Sequence, residues 1–259
     1  MRRFLVVLAL LLGACTPPSA VTTTGGVTVP PDAETVRPDH VVDGDTFEAG
    51  GIRFRLDGIN APDRGECMYE EARDRLEDVL GATVALAATG TDQFGRTLAR
   101  VHADGLWVNL DMVSAGLALA SGGDDVLLRA EDEAFRNRVG LWAVDACGAE
   151  GEIPAIAVEP ALSVFDPPGP DEDVLGEEQV VLRNEGDHPV VLSGWKLRDE
   201  SSLHRFTFAP GTTLAPGEIL VVSSADRGWD PGDNPVWNNG GDLVLVLDDH
   251  GRVIARHRY

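Results

Sequence analysis

Hydrophobic periodicity changes near residue 150, and this change limits the folds open to the chain. Before it, short alternating strands are mixed with helical patterns, whereas beyond residue 155 apolar runs of strand length are separated by turn residues. A chain of 259 residues accommodates two modest domains. We therefore predict an α+β unit over residues 40–147, a small acidic linker over 148–154, and an all-β unit over 155–259.

The first unit combines strand and helix patterns in an order typical of a small barrel. Helical spacing of apolar residues predicts a helix over Tyr69–Leu80, one from Asn109 as its cap to Leu119, and one over Leu127–Val139. Strands precede the first helix and separate it from the second. This order predicts a Greek-key barrel with helices packed on it.

One stretch of this unit, residues 41–63, gathers polar side chains at the ends of two short apolar strands. Its members are Asp43, Asp45, Arg55, Asn60 and Asp63. Carboxylate and amide oxygens suit a hard divalent cation, and a guanidinium suits a phosphate. The alternative is a pair of acidic turns without a special purpose. The stretch by itself leaves both interpretations open.

The start of the chain has the pattern of an export signal. Met1–Arg3 is basic and residues 4–12 are apolar, a run too short to span a bilayer. The run ends in Leu-Gly-Ala-Cys at 12–15, which resembles the bacterial lipobox, whose cysteine is lipidated. We predict lipidation of Cys15 and an extracytoplasmic protein attached to the membrane by lipid; the alternative is an ordinary cleaved signal. The Thr-, Pro- and Gly-rich segment 16–39 is predicted to be an extended tether.

Two further cysteines, Cys67 and Cys147, remain if Cys15 carries lipid. In an exported protein, an even remainder predicts one disulfide, here closing a loop of about 80 residues that stabilises the fold by about 4 kcal/mol in the chain-entropy model. The alternatives are two free thiols or a metal pair. A metal pair is disfavoured because the CxxC spacing and nearby histidine of a zinc site are missing.

The first unit resembles the staphylococcal nuclease-like, or thermonuclease, family. The matching motifs are Val-Asp-Gly-Asp-Thr at 42–46, Phe-Arg-Leu at 54–56, Gly-Ile-Asn-Ala-Pro-Asp at 58–63, Glu-Ala at 71–72, Asp-Gln-Phe-Gly-Arg at 92–96, Asp-Gly at 104–105, Val-Asn at 108–109, Gly-Leu-Ala at 116–118 and Gly-Leu-Trp at 140–142. Each motif is weak, but their order and spacing together are specific. The resemblance implies an OB-type five-stranded barrel with three helices.

The resemblance also implies a calcium site. Asp45 and Asn60 would supply side-chain ligands and Ala61 a backbone carbonyl, with Asp43 in the outer shell. Calcium prefers oxygen ligands, which this set provides.

The remaining family positions concern the phosphate and the attacking water. Arg55 and Arg96 match the family's two arginines, and Asp63 takes the place of the glutamate that orients or deprotonates water. The implied reaction is calcium-dependent cleavage of DNA or RNA on the 5′-oxygen side of the phosphate.

Three departures from the family pattern bear on this expectation. Asn60 stands where the family most often has Asp, which removes a negative charge from the site, and Asp63 is one methylene shorter than the family's Glu. Residues 121–125, Ser-Gly-Gly-Asp-Asp, replace tyrosines that contact the nucleotide. The chain carries a formal charge of −22, which repels polyanions at long range. A surface binding protein that has lost catalysis is the alternative function.

The second unit resembles the lamin tail domain, an immunoglobulin-like sandwich. The matching phrases are Val-Leu-Arg-Asn at 181–184, Leu-Ser-Gly-Trp-Lys-Leu-Arg-Asp at 192–199, Leu-Ala-Pro-Gly at 214–217 and Trp-Asn-Asn-Gly-Gly-Asp at 237–242. We predict its first strand at 161–165 and interpret Trp195 and Trp237 as core or turn anchors, the alternative being ligand platforms. The resemblance implies an accessory or adhesive role with a ligand that the sequence does not identify.

Overall fold

The computed structural model describes residues 23–24, 27–30, 32–201, 203–232 and 235–259. The predicted signal peptide with its lipobox cysteine Cys15 lies outside these residues, as do several residues of the predicted tether. Within the described ranges, no helix combines the length and the apolar character needed to cross a membrane.

The first unit is built from short strands and three α-helices. Before it, β1 (Thr23–Thr24) and β2 (Val27–Thr28) pair with each other in a segment predicted to be an extended tether. The strands of the unit are β3 (Glu34–Val36), β4 (His40–Asp43), β5 (Thr46–Ala49), β6 (Ile52–Leu56), β7 (Ile59–Asn60), β8 (Val84–Thr91), β9 (Thr97–Ala103), β10 (Leu106–Trp107) and β11 (Leu119–Ala120). Its helices are α1 (Tyr69–Leu80), α2 (Val108–Ser114) and α3 (Asp125–Arg136).

Five strands, in the order β8-β9-β6-β5-β4, form the curled sheet of the predicted OB-type barrel. The pair β6–β9 is parallel, and its neighbours in the sheet are antiparallel. Strand β3 lengthens this sheet by pairing with β8, although its residues belong to the predicted tether. Val36 explains the difference, because its side chain packs against the barrel core and draws the segment onto the sheet.

Helix α1 has the bounds that the periodicity predicts. Ala72, Leu76 and Leu80 recur every four residues, are buried in the core, and place one face of the helix on the sheet. Gly81 follows the helix at a φ of +60°, a conformation that favours glycine, and ends it.

Helix α2 departs from its prediction, since it begins one residue before Asn109 and ends at Ser114. Asn109 is fully buried and does not cap the helix. Its side chain accepts a hydrogen bond from the Val101 N–H at 2.9 Å and donates to the carbonyls of Asp57 and Ala99 at 2.8 and 3.1 Å. The residue therefore satisfies the backbone of β9 inside the core, a role that capping statistics do not reveal.

The second unit is all-β apart from short turns. Its strands are β12 (Ile156–Val158), β13 (Gln179–Asn184), β14 (Val190–Val191), β15 (Lys196–Arg198), β16 (Arg205–Thr207), β17 (Thr213–Leu214), β18 (Ile219–Ser223), β19 (Trp229–Asp230), β20 (Leu243–Leu247) and β21 (Val253–Arg258). They form a sheet β19-β16-β15-β20-β21, a sheet β12-β13-β18 and the pair β14-β17.

These sheets share one core, as expected for an immunoglobulin-like sandwich. The core includes Val180 and Leu182 of β13 together with Val244 and Val246 of β20. Trp195 and Trp237 are buried in it, which confirms their predicted placement. The strand predicted at 161–165 is wrong: Val164 forms an isolated bridge with Gln179, and the residues before it turn. A short apolar run beside proline and aspartate turns supports a turn as readily as a strand.

The predicted disulfide joins Cys67 to Cys147, whose Cα atoms are 5.3 Å apart. Cys67 directly precedes the residue that caps α1, and Cys147 lies in a 3₁₀ turn at the end of the first unit. The bond therefore fastens the end of this unit to the loop that follows Asp63.

The two units pack against each other through a shared apolar cluster. The first unit contributes Leu119, Ala134, Leu141 and Trp142, and the second contributes Leu243, Leu245, Leu247 and Val253. One face of β20, in the five-stranded sheet of the second unit, thus packs against α3 and against the turn at 140–142 that follows this helix. Apolar burial of this kind holds the units in a defined arrangement.

A buried carboxylate adds a polar anchor to the junction. Glu131 of α3 is 1% exposed, accepts a hydrogen bond from the Ala120 N–H at 3.0 Å, and pairs with Arg256 and Arg258 of β21, both at 3.1 Å. Burial raises the pKa of Glu131 and the Arg258 guanidinium lowers it, with burial the larger effect. Two arginines of the second unit therefore compensate one buried charge of the first.

Shortening Leu245 tests whether the apolar cluster stabilises the chain. Leu245 is 1% exposed, and Leu245→Ala should lower the free energy of unfolding by about 2–5 kcal/mol, as truncation of a buried leucine does. Urea unfolding of the full chain measures this change. The control Ile219→Ala alters a side chain that is 44% exposed and should change stability by less than about 0.5 kcal/mol. Equal effects of both variants would contradict the importance of the junction.

Candidate functional site

Asp45 is held at the centre of the candidate site by the turn between β4 and β5. Its carboxylate is buried, accepts a hydrogen bond from the Thr46 hydroxyl at 2.8 Å, and accepts another from the Ala61 N–H at 2.9 Å. Its own N–H donates to Oδ1 of Asp43 at 3.1 Å. The turn therefore fixes the carboxylate against the loop that carries Asn60 and Ala61.

Gly44 lets this turn approach helix α1 closely. A Cβ atom at this position would lie 2.6 Å from the Cβ of Ala72 and 2.8 Å from the Cβ of Ala61. Both neighbours are short and fixed, so neither side chain can move aside. The glycine between the two aspartates is thus required by packing, whatever the chemistry of the site.

Arg55 bridges the two predicted side-chain ligands. One Nη forms an ion pair with Oδ1 of Asp45, and the other donates to Oδ1 of Asn60 at 2.8 Å and to the Ile59 carbonyl at 3.1 Å. The Asp45 and Asn60 oxygens therefore converge on one positive charge. The structure brings these three residues together as the sequence predicts.

This oxygen set fits a hard cation chemically. The Asp45 and Asn60 oxygens already face a cationic group, and Asp43 lies beside Asp45. In the described part of the chain, no group of three or more His, Cys, Asp or Glu side chains forms a ready metal cluster. A calcium ion held here would therefore complete its six to eight oxygen ligands with water or substrate.

Negative charge is concentrated beside Asp45. Burial, and then the neighbouring Asp45 carboxylate, raise the pKa of Asp43 to about 6. Both effects disfavour a second charge in the turn. A bound cation would lower the pKa of both carboxylates, because it stabilises their ionised forms.

Arg96 and Asp63 lie at the rim of the same cleft, which has a volume of about 560 Å³. The Arg96 Nε donates to Asp92 at 2.6 Å, and its guanidinium carbon lies 5.4 Å from the centre of the Phe94 ring. The Asp63 carboxylate lies 3.5 Å from Arg205 of the second unit. Sequence analysis assigned no role to Phe94, which is 69% exposed beside Arg96. The available signal was an aromatic residue inside the motif at 92–96.

The second unit forms part of the cleft, which sequence analysis missed. Ser201 and Leu203 line it. The Glu200 carbonyl accepts a hydrogen bond from Nδ2 of Asn60 at 2.8 Å, and its Oε1 accepts one from the Ser121 hydroxyl at 2.9 Å. No local pattern reveals these contacts, because Asn60 and Glu200 are 140 residues apart.

The segment that replaces the family's tyrosines has structural partners. Ser121 bonds to Glu200, while Asp124 caps α3 by accepting from the Val126 N–H at 2.9 Å. Asp124 also pairs with Arg100 at 2.8 Å. Ser121 and Asp124 therefore connect this segment to the second unit, to α3 and to β9.

Comparisons with known proteins identify the family of the first unit. A family model described as "Staphylococcal nuclease homologue" matches residues 53–144. A protein of Haemophilus influenzae named "Uncharacterized endonuclease" is 33% identical over 121 residues, which cover 43% of this chain and 68% of that protein. The chain belongs to the staphylococcal nuclease-like family. A "Micrococcal nuclease" of Shigella flexneri is 33% identical over 122 residues, 40% of this chain and 70% of that protein.

The match to this nuclease-like family covers most of the candidate site. Arg55, Asn60, Ala61, Asp63 and Arg96 fall within the matched residues 53–144, while the Asp43–Asp45 turn precedes them. A plant protein, the "Staphylococcal-like nuclease CAN1" of Arabidopsis thaliana, is 34% identical over 96 residues, 36% of this chain and 30% of that protein.

The second unit has its own family match. A model described as "Lamin Tail Domain" matches residues 162–259. The chain thus joins a nuclease-like unit to a lamin tail domain, as the sequence predicts.

The carboxylate of Asp242, behind the Glu200 loop, predicts a pH dependence of stability. It is fully buried and accepts hydrogen bonds from the N–H groups of Leu243, Glu200 and Asn238. Burial is the largest effect and raises its pKa from 3.8 to about 6. A raised pKa in the folded state means that its contribution to stability is complete below the unfolded value and is lost as the pH rises through 6.

The variant Asp242→Asn should therefore remove part of the pH dependence. The free energy of unfolding of the wild type, minus that of the variant, should fall as the pH rises from 4 to 7. Urea unfolding at several pH values measures this difference. A difference that stays constant or rises over this range would contradict the assignment.

Proposed function

We propose that this protein is an extracytoplasmic, calcium-dependent nuclease that hydrolyses phosphodiester bonds of DNA or RNA on the 5′-oxygen side. The observation that carries the proposal is the convergence of the Asp45 and Asn60 oxygens on Arg55, in a cleft that also contains Arg96 and Asp63. Membership of the nuclease-like family and relatives named as nucleases support it.

In this proposal, Asp45, Asn60 and the Ala61 carbonyl hold calcium, with Asp43 in the outer shell. Bound calcium supplies Lewis-acid polarisation of the phosphate and neutralises its charge. The protein's own contribution to this site is orientation, because hydrogen bonds from Thr46 and Ala61 fix the Asp45 carboxylate before substrate binds.

Arg55 leaves the Asp45 and Asn60 oxygens when these hold calcium. Together with Arg96 it then grips phosphate oxygens, and Asp63 orients or deprotonates the attacking water. A guanidinium offers two parallel N–H donors to a phosphate, and positive charge stabilises the negative charge that gathers in the transition state. Asp92 restrains Arg96 through its Nε, which leaves the two Nη groups for the substrate. The Asp63 side chain is 63% exposed at the rim, where water has access.

The exposed ring of Phe94 supports a single-stranded substrate. It lies beside Arg96 in the cleft, and stacking of a base on an aromatic ring contributes about 1–3 kcal/mol. Because the net charge of −22 repels nucleic acid, binding depends on calcium and on these local contacts.

A surface binding protein with a nuclease fold and no catalysis is the competing proposal. Two observations favour it: Asn60 carries less charge than the family's Asp, and Arg55 already neutralises Asp45. The proposals differ in one respect, since only the first requires turnover.

Hydrolysis of single-stranded DNA and of RNA separates these proposals. Wild-type protein should cut with Ca²⁺ and not with EDTA, and Arg96→Ala should lower the rate by about 10²–10³, as loss of a transition-state donor does. The control Arg129→Ala removes the same charge from an exposed position of α3 outside the cleft and should keep wild-type activity. No cleavage with Ca²⁺, or cleavage that EDTA and Arg96→Ala leave unchanged, would contradict the nuclease proposal.

The proposed location rests on the export signal and lipobox pattern of residues 1–15. Mass spectrometry of the protein isolated from membranes should show a mature chain that begins at a lipid-modified Cys15. Cys15→Ser should release the protein from the membrane without changing hydrolysis. An unmodified Cys15, or a mature chain that begins elsewhere, would contradict lipid anchoring.

A further inference from the structure

The side chain of Asn60 has two hydrogen-bond partners of opposite kind. Arg55 only donates hydrogen bonds, and a main-chain carbonyl such as that of Glu200 only accepts them. The Arg55 Nη lies 2.8 Å from Oδ1, and the Glu200 carbonyl lies 2.8 Å from Nδ2. The chemistry of the partners therefore fixes which end of the amide is oxygen.

This orientation matters because an asparagine has one ligand oxygen. A carboxylate at this position could rotate by half a turn and present an equivalent oxygen, whereas a rotated amide would present an NH₂ group. An NH₂ group does not bind a hard cation. The replacement of Asp by Asn at position 60 thus creates a need for a group that selects one rotamer.

Glu200 meets this need because its own position is fixed from both units. Its Oε1 accepts from the Ser121 hydroxyl at 2.9 Å, and its Oε2 pairs with Arg258 at 2.9 Å. Its N–H donates to the buried Asp242 at 3.4 Å. Ser121 directly follows β11, which pairs with β7 at Asn60 itself. The carbonyl is therefore held in register with the strand that carries Asn60.

We propose that Glu200 is a positioning residue of the metal site, and that the lamin tail domain completes this site by orienting the Asn60 amide. The inference rests on the proposed calcium-dependent function and gives the second domain a role within it. Main-chain hydrogen bonds of this kind act on the metal through its ligand. The domain's contact with Asn60 thereby compensates for the absence of a second carboxylate.

The decisive experiment is a double-mutant cycle on calcium affinity in the full chain. Isothermal titration calorimetry measures Ca²⁺ dissociation constants for wild type, Glu200→Ala, Asn60→Asp and the double variant. Glu200→Ala releases the carbonyl from its anchors and should weaken binding about tenfold, the usual effect of losing an outer-shell partner. Asn60→Asp should restore binding in this background, because a carboxylate needs no selected rotamer.

The gain from Asn60→Asp should be smaller when Glu200 is intact. A carboxylate oxygen would then face the Glu200 carbonyl oxygen without a proton between them. The gain in affinity should be about tenfold larger in the Glu200→Ala background, a coupling of about 1.4 kcal/mol. A purely structural role for Glu200 predicts equal gains in both backgrounds, and equal gains would overturn the proposal.

Two further variants separate positioning from general loosening of the junction. Asp132→Ala removes the ion pair with Arg256 at the same interface but away from Asn60, and calcium affinity should stay at the wild-type value. Glu200→Gln keeps the shape and an acceptor for Ser121 but loses the ion pair with Arg258, so its loss of calcium affinity should be smaller than that of Glu200→Ala. An equal loss in Asp132→Ala and Glu200→Ala would overturn the proposal.

Folding and function are checked in the same samples. If Glu200→Ala does not fold, by circular dichroism, Ser121→Ala removes one anchor of Glu200 from the nuclease side and should show a smaller loss of calcium affinity that Asn60→Asp again restores. Wild-type protein that binds calcium and cuts, with no effect of Glu200→Ala, would overturn only this inference. Wild-type protein that binds no calcium would overturn the proposed function and the inference together.

Discussion

One buried carboxylate, Glu131, connects the elements on which the arrangement of the two domains depends. It binds the Ala120 N–H within the nuclease-like unit and pairs with Arg256 and Arg258 of the lamin tail domain. Arg258 also pairs with Glu200. A buried charge that loses its partners destabilises a protein by about 3–5 kcal/mol, so this carboxylate strongly favours the docked state. The geometry at Asn60 follows from that docking.

Local patterns predicted much of the fold and of the site. Helix α1 and the Asp43–Asp45 turn depend on neighbours within a few residues, and the disulfide depends on the number of cysteines and on export. The contact between Asn60 and Glu200 depends instead on how two finished domains pack, and it involves a main-chain carbonyl that every residue type possesses. No residue identity at position 200 would have revealed it. Asn109 differs from its predicted capping role for a related reason, because its partners are backbone groups of β9 and of Asp57 rather than of its own helix.

Net charge also fails to predict that the two domains pack against each other. Both units are acidic, which suggests mutual repulsion, yet arginines of the lamin tail domain are concentrated where it meets the nuclease-like unit. Those that bond across the junction are Arg198, Arg205, Arg252, Arg256 and Arg258. Composition averages over a surface, whereas binding depends on the local arrangement of charge. The remaining surface of this domain is correspondingly more acidic than its sequence average.

The apolar cluster at the junction has a consequence for how such a chain is divided. Leu141 and Trp142 on one side pack in one cluster with Leu245 and Leu247 on the other, so each unit covers part of the other's apolar surface. Either unit expressed by itself would expose this patch to water and tend to self-associate. The family matches divide the chain into two separate domains. The apolar cluster is nevertheless covered by both domains together. The boundary between families is therefore a poor site for truncation.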